Sequence, residues 1–344
     1  MRRTLLAALL LLLVPVRAAA AQPGLVLGVD DDSLKWYAHT SSLTSIYRDL
    51  GLGAVRVTLT WPAAGAAART ELQRVAGAGR GIRVVLAVTG SPSSPPLDDA
   101  ARTDYCGYVA GILGRYPWIR DVAIWTEPNS SAFWRPQHGA AAAYEALLAT
   151  CWDAIHAAQP AANVIATSAP HARPGDWYAA IGKAYRASGR TRPILDTVGH
   201  NAYPETSAEP PSARHTHRSI DEGDVGRLAG ALRKAFGAVP PVWYLEDGFQ
   251  SSGPAQLYAG SETDRKPVSE AVQANQLAAA VRLAYCQPGV TGFFNFELRD
   301  DAALDGWQSG LLRPDWSTKP AFAAFRDVLA AARQGTIACG QAAK

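Results

Sequence analysis

Runs of β-branched and aromatic residues alternate with Ala-rich stretches of helical length along nearly the whole of this sequence. The apolar runs at 25–29, 55–61, 83–88, 122–126, 164–167, 197–202, 242–245 and 290–296 read as buried strands. Each is followed by a stretch expected to be helical: 33–50, 66–77, 100–116, 140–158, 177–187, 225–236, 268–285 and 320–332. Strands separated by helices pair in parallel, because the crossover returns the chain to the same end of the sheet. Eight such units predict an α/β fold closed as a single (β/α)8 TIM barrel. The alternative is an open doubly wound sheet, but no Gly-rich turn follows the first strand. Gly77-Ala-Gly-Arg-Gly81 comes after a helix, the wrong context for a nucleotide.

Residues 1–21 stand outside this pattern. Arg2 and Arg3 precede an apolar run at 5–16, and the small residues at 18–21 suit cleavage before Gln22. The run is too short, and Pro15 too disruptive, for a membrane span. The expected product is a secreted chain, residues 22–344, forming one barrel domain. Loss of Arg2, Arg3 and Arg17 cancels the formal +3 charge, so the basic balance gives no argument for nucleic acid or an anionic membrane. Cys106, Cys151, Cys286 and Cys339 in an oxidising compartment imply two disulfides, with three pairings open. Cys106 and Cys151 fall on neighbouring helices of the outer ring. Cys286 ends the helix after the seventh strand, and Cys339 follows the last helix. This placement predicts the pairs 106–151 and 286–339.

In such a barrel the chemistry sits at the C-terminal strand ends. Val122-Ala-Ile-Trp-Thr-Glu-Pro-Asn129 runs from an apolar strand into Glu127, and Pro128 stops the ladder. Val242-Trp-Tyr-Leu-Glu-Asp-Gly248 repeats the design with Glu246. A carboxylate at the mouth of a buried strand is costly unless it is paired or used. A structural ion pair would explain one. Two that face each other across the mouth fit glycoside hydrolysis, where one carboxyl donates a proton and the other attacks the anomeric carbon. Arg56 shares a face of the second strand with Thr58 and Thr60, opposite Val55, Val57 and Leu59. It can favour the charged form of a nearby carboxylate, or serve as a plain salt bridge. In Gly199-His-Asn-Ala-Tyr-Pro204, alternation puts Asn201 and Tyr203 on one face and His200 on the other, so His200 is expected to pack. Trp61 and Trp134 follow strand ends and Trp307 lies in the last long loop, where each could stack on a sugar, although most Trp serve the core. Asp300 and Asp301 are expected to orient that loop. His215-Thr-His217 shows no third metal ligand, and GxSxG, Walker and HExxH motifs are absent. No metal and no cofactor is expected.

The motifs resemble those of the clan A retaining glycoside hydrolases, in particular cellulase-like family 5 and family 39-like barrels. The resemblance rests on Trp125-Thr-Glu-Pro-Asn129, Tyr244-Leu-Glu-Asp-Gly248, and the tail Gly306-Trp-Gln-Ser-Gly-Leu-Leu312 with Lys319-Pro-Ala321, and it covers 28–325. It implies Glu127 as general acid/base and Glu246 as nucleophile, with Arg56 and Tyr203 touching the nucleophile. Asn201 stands where many relatives carry His. Thr126 stands where they usually carry Asn, whose amide contacts the sugar 2-hydroxyl. Asn295-Phe296-Glu297 stands where relatives often keep a Trp. The expected substrate-binding set is Arg56, Trp61, Thr126, Trp134, Asn201, Tyr203 and Trp307. The resulting expectation is a monomeric, secreted, retaining glycosidase for β-linked glycosides or polysaccharides. The alternative, kept open by Thr126, is a non-catalytic saccharide-binding barrel derived from such an enzyme.

Overall fold

The computed structural model describes residues 24–340 apart from 38–39, 63–64 and 263–265. The expected leader at 1–21 lies outside these residues. The eight expected strands are β1 Val26–Asp30, β2 Ala54–Trp61, β3 Arg83–Gly90, β4 Asp121–Ile124, β5 Asn163–Ser168, β6 Thr197–Asn201, β7 Val242–Asp247 and β8 Val290–Phe296. All are parallel to their neighbours, and β8 pairs back onto β1 to close the barrel. The connecting helices are α2 to α9, at Thr40–Leu50, Gly65–Ala78, Asp99–Arg115, Ala140–Ala158, Pro174–Ala187, Val225–Phe236, Glu270–Cys286 and Pro320–Gln334. The helix expected over 33–50 is divided, with a single turn α1 at Ser33–Trp36 standing before α2.

Alternation sorts the strand residues into two cores. Ala54, Val85, Ala123, Ile165, Leu245 and Phe294 belong to the plug inside the barrel. Val55, Val57 and Leu59 face the other way, into the layer between strands and helices. Small residues keep the plug compact: a Cβ on Gly199 would collide with Leu245 and Ile165. Arg56 lies two residues beyond Ala54 on the same face of β2, so it rises from the plug toward the mouth.

Two irregularities shape that mouth. β7 carries one residue too many for both partners: Tyr244 lies opposite His200 and Phe293, whereas Glu246 lies opposite Asn201, and Asp247 opposite Asn295. A bulge of this kind resets the side-chain phase, so Leu245 stays in the plug while its neighbour Glu246 reaches the mouth. β4 ends at Ile124, short of the expected 126. Trp125 and Glu127 have φ of 63° and 42°, in the left-handed region that non-glycine residues rarely adopt. Glu127 therefore sits on a turn beyond the strand, not on its last residue. The backbone of Trp125 is nevertheless satisfied. The Trp125 N–H donates to the carbonyl of Val88, and its carbonyl accepts from the Thr167 hydroxyl.

Both expected disulfides are present. Cys106–Cys151 joins α4 to α5, and Cys286–Cys339 ties the chain after α9 to the end of α8. The second closes a separation of 53 residues, for which the chain-entropy account gives about 4 kcal/mol. Replacing both Cys286 and Cys339 by Ser should lower the free energy of unfolding by up to about this amount in a denaturant titration. An unchanged midpoint would mean that the packing of Ile337 against the core holds the tail unaided.

Candidate active site

The strands open at their C-terminal ends into a cleft of about 1180 Å³. Both glutamates line it, together with Arg56, Thr126 and Tyr203. Glu246 is held on two sides: Arg56 Nη1 lies 2.8 Å from its Oε1, and the Tyr203 hydroxyl donates to its Oε2 at 3.1 Å. The same Arg56 nitrogen also pairs with Asp30 of β1. An ion pair with a buried guanidinium is an interaction of the carboxylate, not of the acid.

Glu127 has different company. The Asn201 side-chain amide donates to its Oε1 at 2.7 Å, and Arg56 acts on it only as a more distant charge. Burial, followed by the negative charge of Glu246, raises its carboxyl to about 7. One carboxyl is thus paired with a cation, and the other is biased toward its proton. That split is what a two-carboxylate acid and nucleophile pair requires.

The aromatic residues are less faithful to expectation. Trp307 lines the cleft and stacks on Tyr203 with ring centroids 5.4 Å apart. Trp61 is not among the lining residues and packs edge-on against Tyr105. Trp134 is a correction: it is fully buried and packs edge-on against Trp125 and Tyr144, so it offers no face to a ligand. Following a strand end does not fix the direction of a ring, and an apolar pocket under the fourth loop captures this one. The exposed rims are instead Trp36, on α1, and Phe133. His200 packs as expected, between the Ser168 hydroxyl and the Ile220 carbonyl, and burial lowers it to about 4. Asp300 orients the last loop by binding Lys319, the Gly310 N–H and the Tyr258 hydroxyl.

The sequence reading missed Glu297. It follows β8, lines the cleft, and is raised to about 9 by burial and then by Asp301 and Asp30. The signal was its position one residue past a strand end, the same signal that exposed Glu127. Asp30, Asp32 and Asp305 also line the cleft and were not singled out.

No protein-family model matches the chain, and no curated protein matches it in sequence. Solved structures do. A GH5 subfamily 18 enzyme of Streptomyces cattleya, in complex with Manβ1-4GlcNAc, is similar over 93% of this chain and 83% of its own, at 18% identity and a TM-score of 0.63. The GH53 catalytic domain of Ignisphaera aggregans is similar over 91% of this chain and 99% of its own, at 14% identity and a TM-score of 0.64. A GH2 β-galacturonidase of Eisenbergiella tayi bound to galacturonate is similar over 91% of this chain but 52% of its own, at 13% identity and a TM-score of 0.56. The chain thus spans about half the length of that enzyme. At these identities the likeness is one of fold.

The contrast between the two glutamates can be measured directly. The Glu127 carboxyl should titrate near 7, read by carboxyl NMR or infrared difference spectra against Glu127→Gln. The Asn201 amide stabilises the charged form, so Asn201→Ala should move the midpoint upward, by about one pH unit for a hydrogen bond to a charged group. A midpoint in the ordinary carboxylate range would remove the basis for treating Glu127 as an acid.

Proposed function

We propose that this protein is an exported glycoside hydrolase that works by double displacement, with Glu127 as general acid/base and Glu246 as nucleophile. The observation that carries this reading is the unequal housing of the two carboxyls, Glu246 against Arg56 and Tyr203, Glu127 raised toward neutrality beside Asn201. In the first step Glu246 attacks the anomeric carbon while Glu127 gives its proton to the departing oxygen, leaving a glycosyl ester on Glu246. In the second, Glu127, now ionised, takes a proton from water, which attacks the same carbon and frees Glu246. Arg56 and Tyr203 orient the attacking carboxylate, and Trp307 and Trp36 flank the cleft where sugar rings can stack.

The cleft's charge narrows the substrate. The galacturonidase and glucuronidases among the structural neighbours are named for anionic sugars. Here the cationic side chains among the described lining residues are Arg56, already shared by Asp30 and Glu246, and His171, which burial biases toward its neutral form. Against them stand Asp30, Asp32, Glu205 and Asp305. A uronate would meet like charge without a free partner, which costs several kcal/mol. The reading is therefore a β-glycosidase for uncharged sugars.

The saccharide-binding alternative is favoured by one observation, the short hydroxyl of Thr126 in the cleft where the resembled enzymes carry an amide.

Three outcomes are expected. Glu246→Ala should lose about 10⁴-fold or more in kcat/KM, whereas Glu127→Ala should spare aryl glycosides with good leaving groups, which need little protonation. The first-formed product, followed by NMR, should keep the anomeric configuration; inversion would unseat Glu246 as nucleophile. Aryl β-glycosides of neutral sugars should be cleaved at least about a hundredfold better than aryl β-glucuronides. If neither the wild type nor Thr126→Asn cleaves any glycoside, yet the protein binds a polysaccharide, the binding reading replaces the enzymatic one.

A further inference from the structure

The long loop at 202–221 after β6 walls the cleft with Tyr203, Glu205 and Thr206. It also folds His215 and His217 onto carboxylates that the sequence spacing did not connect to them. His215 Nε2 lies 2.9 Å from Glu209 Oε1, and His217 Nε2 lies 3.2 Å from Glu205 Oε1. The two imidazole rings are 4.7 Å apart, and one ligand atom from each of Glu205, His215 and His217 falls within 4.8 Å of the others. Behind His215, its Nδ1 is 3.0 Å from both Asp221 and Asp224. Those two carboxylates are almost fully buried, and Asp221 Oδ1 has no hydrogen-bond partner.

A neutral imidazole has one N–H and one lone pair. With carboxylates at both ring nitrogens, a neutral His215 would turn its lone pair toward an anion. The arrangement calls for positive charge at the ring, from a second ring proton or from a metal ion at Nε2. The nearby Arg227 does not supply it, because it approaches Asp224 at 3.4 Å on the far side of the ring. Glu205, His215 and His217 bring two imidazoles and a carboxylate together, and Glu209 lies at His215 Nε2, a mixed nitrogen and oxygen set suited to zinc and its neighbours rather than to calcium or magnesium, which take oxygen ligands. The Nδ1 side supplies the other half of a metal–histidine site, a carboxylate that accepts the remaining ring N–H and fixes the tautomer.

We propose that this loop binds one divalent transition-metal ion of the zinc type through His215, His217, Glu205 and Glu209, with Asp221 and Asp224 orienting His215 from behind. Metal bonds of about 2.0–2.2 Å are shorter than the present contacts. Glu205 and His217 are each 46% exposed and can close that gap by side-chain rotation. The Ser219 N–H lies 3.4 Å from His217 Nδ1, too long to fix the tautomer of that ring. The ion staples the wall of the cleft, because Glu205 belongs to both the wall and the ligand set. The proposal does not depend on the cleft's catalytic activity.

The test is metal binding by the whole chain. Protein stripped with a chelator is titrated with Zn²⁺, with Ca²⁺ and Mg²⁺ as controls, by calorimetry and by thermal unfolding. The expected result is one Zn²⁺ per chain and an unfolding temperature that rises with Zn²⁺ but not with the controls. His217→Ala, in an exposed part of the loop, should leave the metal-free unfolding temperature unchanged and weaken binding at least about a hundredfold. Wild-type protein that takes up no Zn²⁺ overturns the proposal and leaves His215 as an imidazolium among its carboxylates. Uptake that His217→Ala and Glu205→Gln both leave intact overturns it too, since the ion then lies elsewhere.

Discussion

The mouth of this barrel is organised by one buried cation. Arg56 is 2% exposed, and a guanidinium removed from water is tolerable only if its charge and donors are met. Asp30 on the adjacent strand meets it from one side, in direct register on β1, and Glu246 meets it from β7 across the barrel interior. The pair with Glu246 thus links β2 and β7, strands that do not hydrogen-bond to each other. Glu246 is fixed through Arg56, and Tyr203 is positioned in turn by its bond to Glu246. With two carboxylates already on it, Arg56 has little positive charge left for a ligand. Its protein partners therefore leave the cleft with little free positive charge.

The parts of this arrangement that follow from local pattern were legible in the sequence. Strand and helix periods gave the barrel, because the burial of each element depends on its own residues. Alternation put Arg56 on the face opposite Val55 and Val57, and the family resemblance, not the alternation, pointed that face toward the site. Both disulfides followed from helix adjacency in the barrel. What failed depends on contacts distant in sequence. The bulge that turns Glu246 into the cleft arises between β7 and both of its partners, and strict alternation would have sent this side chain away from the plug face occupied by Leu245. The left-handed residue Trp125, two before the left-handed Glu127, is held by Val88 and Thr167, neither a sequence neighbour. Trp134 was read as a platform because it follows a strand, but the ring is claimed by Trp125 and Tyr144. The His215 cluster was missed for the same reason: Glu209, Asp221 and Asp224 meet the His215 ring, and Glu205 meets His217, only once the loop is folded.

The end of β7 shows how a single strand serves two surroundings. Glu246 faces the cleft and its cation. Asp247, next in sequence, is fully buried on the opposite side, where its carboxylate accepts from the N–H of Gly248 and lies near the buried carboxyl of Glu222, whose oxygens have no hydrogen-bond partner. Burial raises Asp247 to about 7 and raises Glu222 as well. Two neighbouring buried carboxyls without a cation favour their protonated forms. The strand end that presents Glu246 to Arg56 is thus backed by carboxyls that burial biases toward their protons.

This has a consequence for stability. Asp247 and Glu127, both raised to about 7, and Glu297, raised to about 9, hold protons in the folded chain that the unfolded chain releases near the ordinary carboxylate range. A group with a raised folded pKa contributes stability that is fully present below its unfolded value and lost as pH rises through the folded one. For Asp247 and Glu127 the loss falls between the ordinary carboxylate range and about 7; for Glu297 it continues toward about 9. Keeping a proton on Glu127 and keeping the mouth of the barrel folded at high pH are therefore opposed demands. The same burial produces both, and greater solvation of Glu127 would relieve the stability cost only by lowering its pKa toward the ordinary carboxylate range.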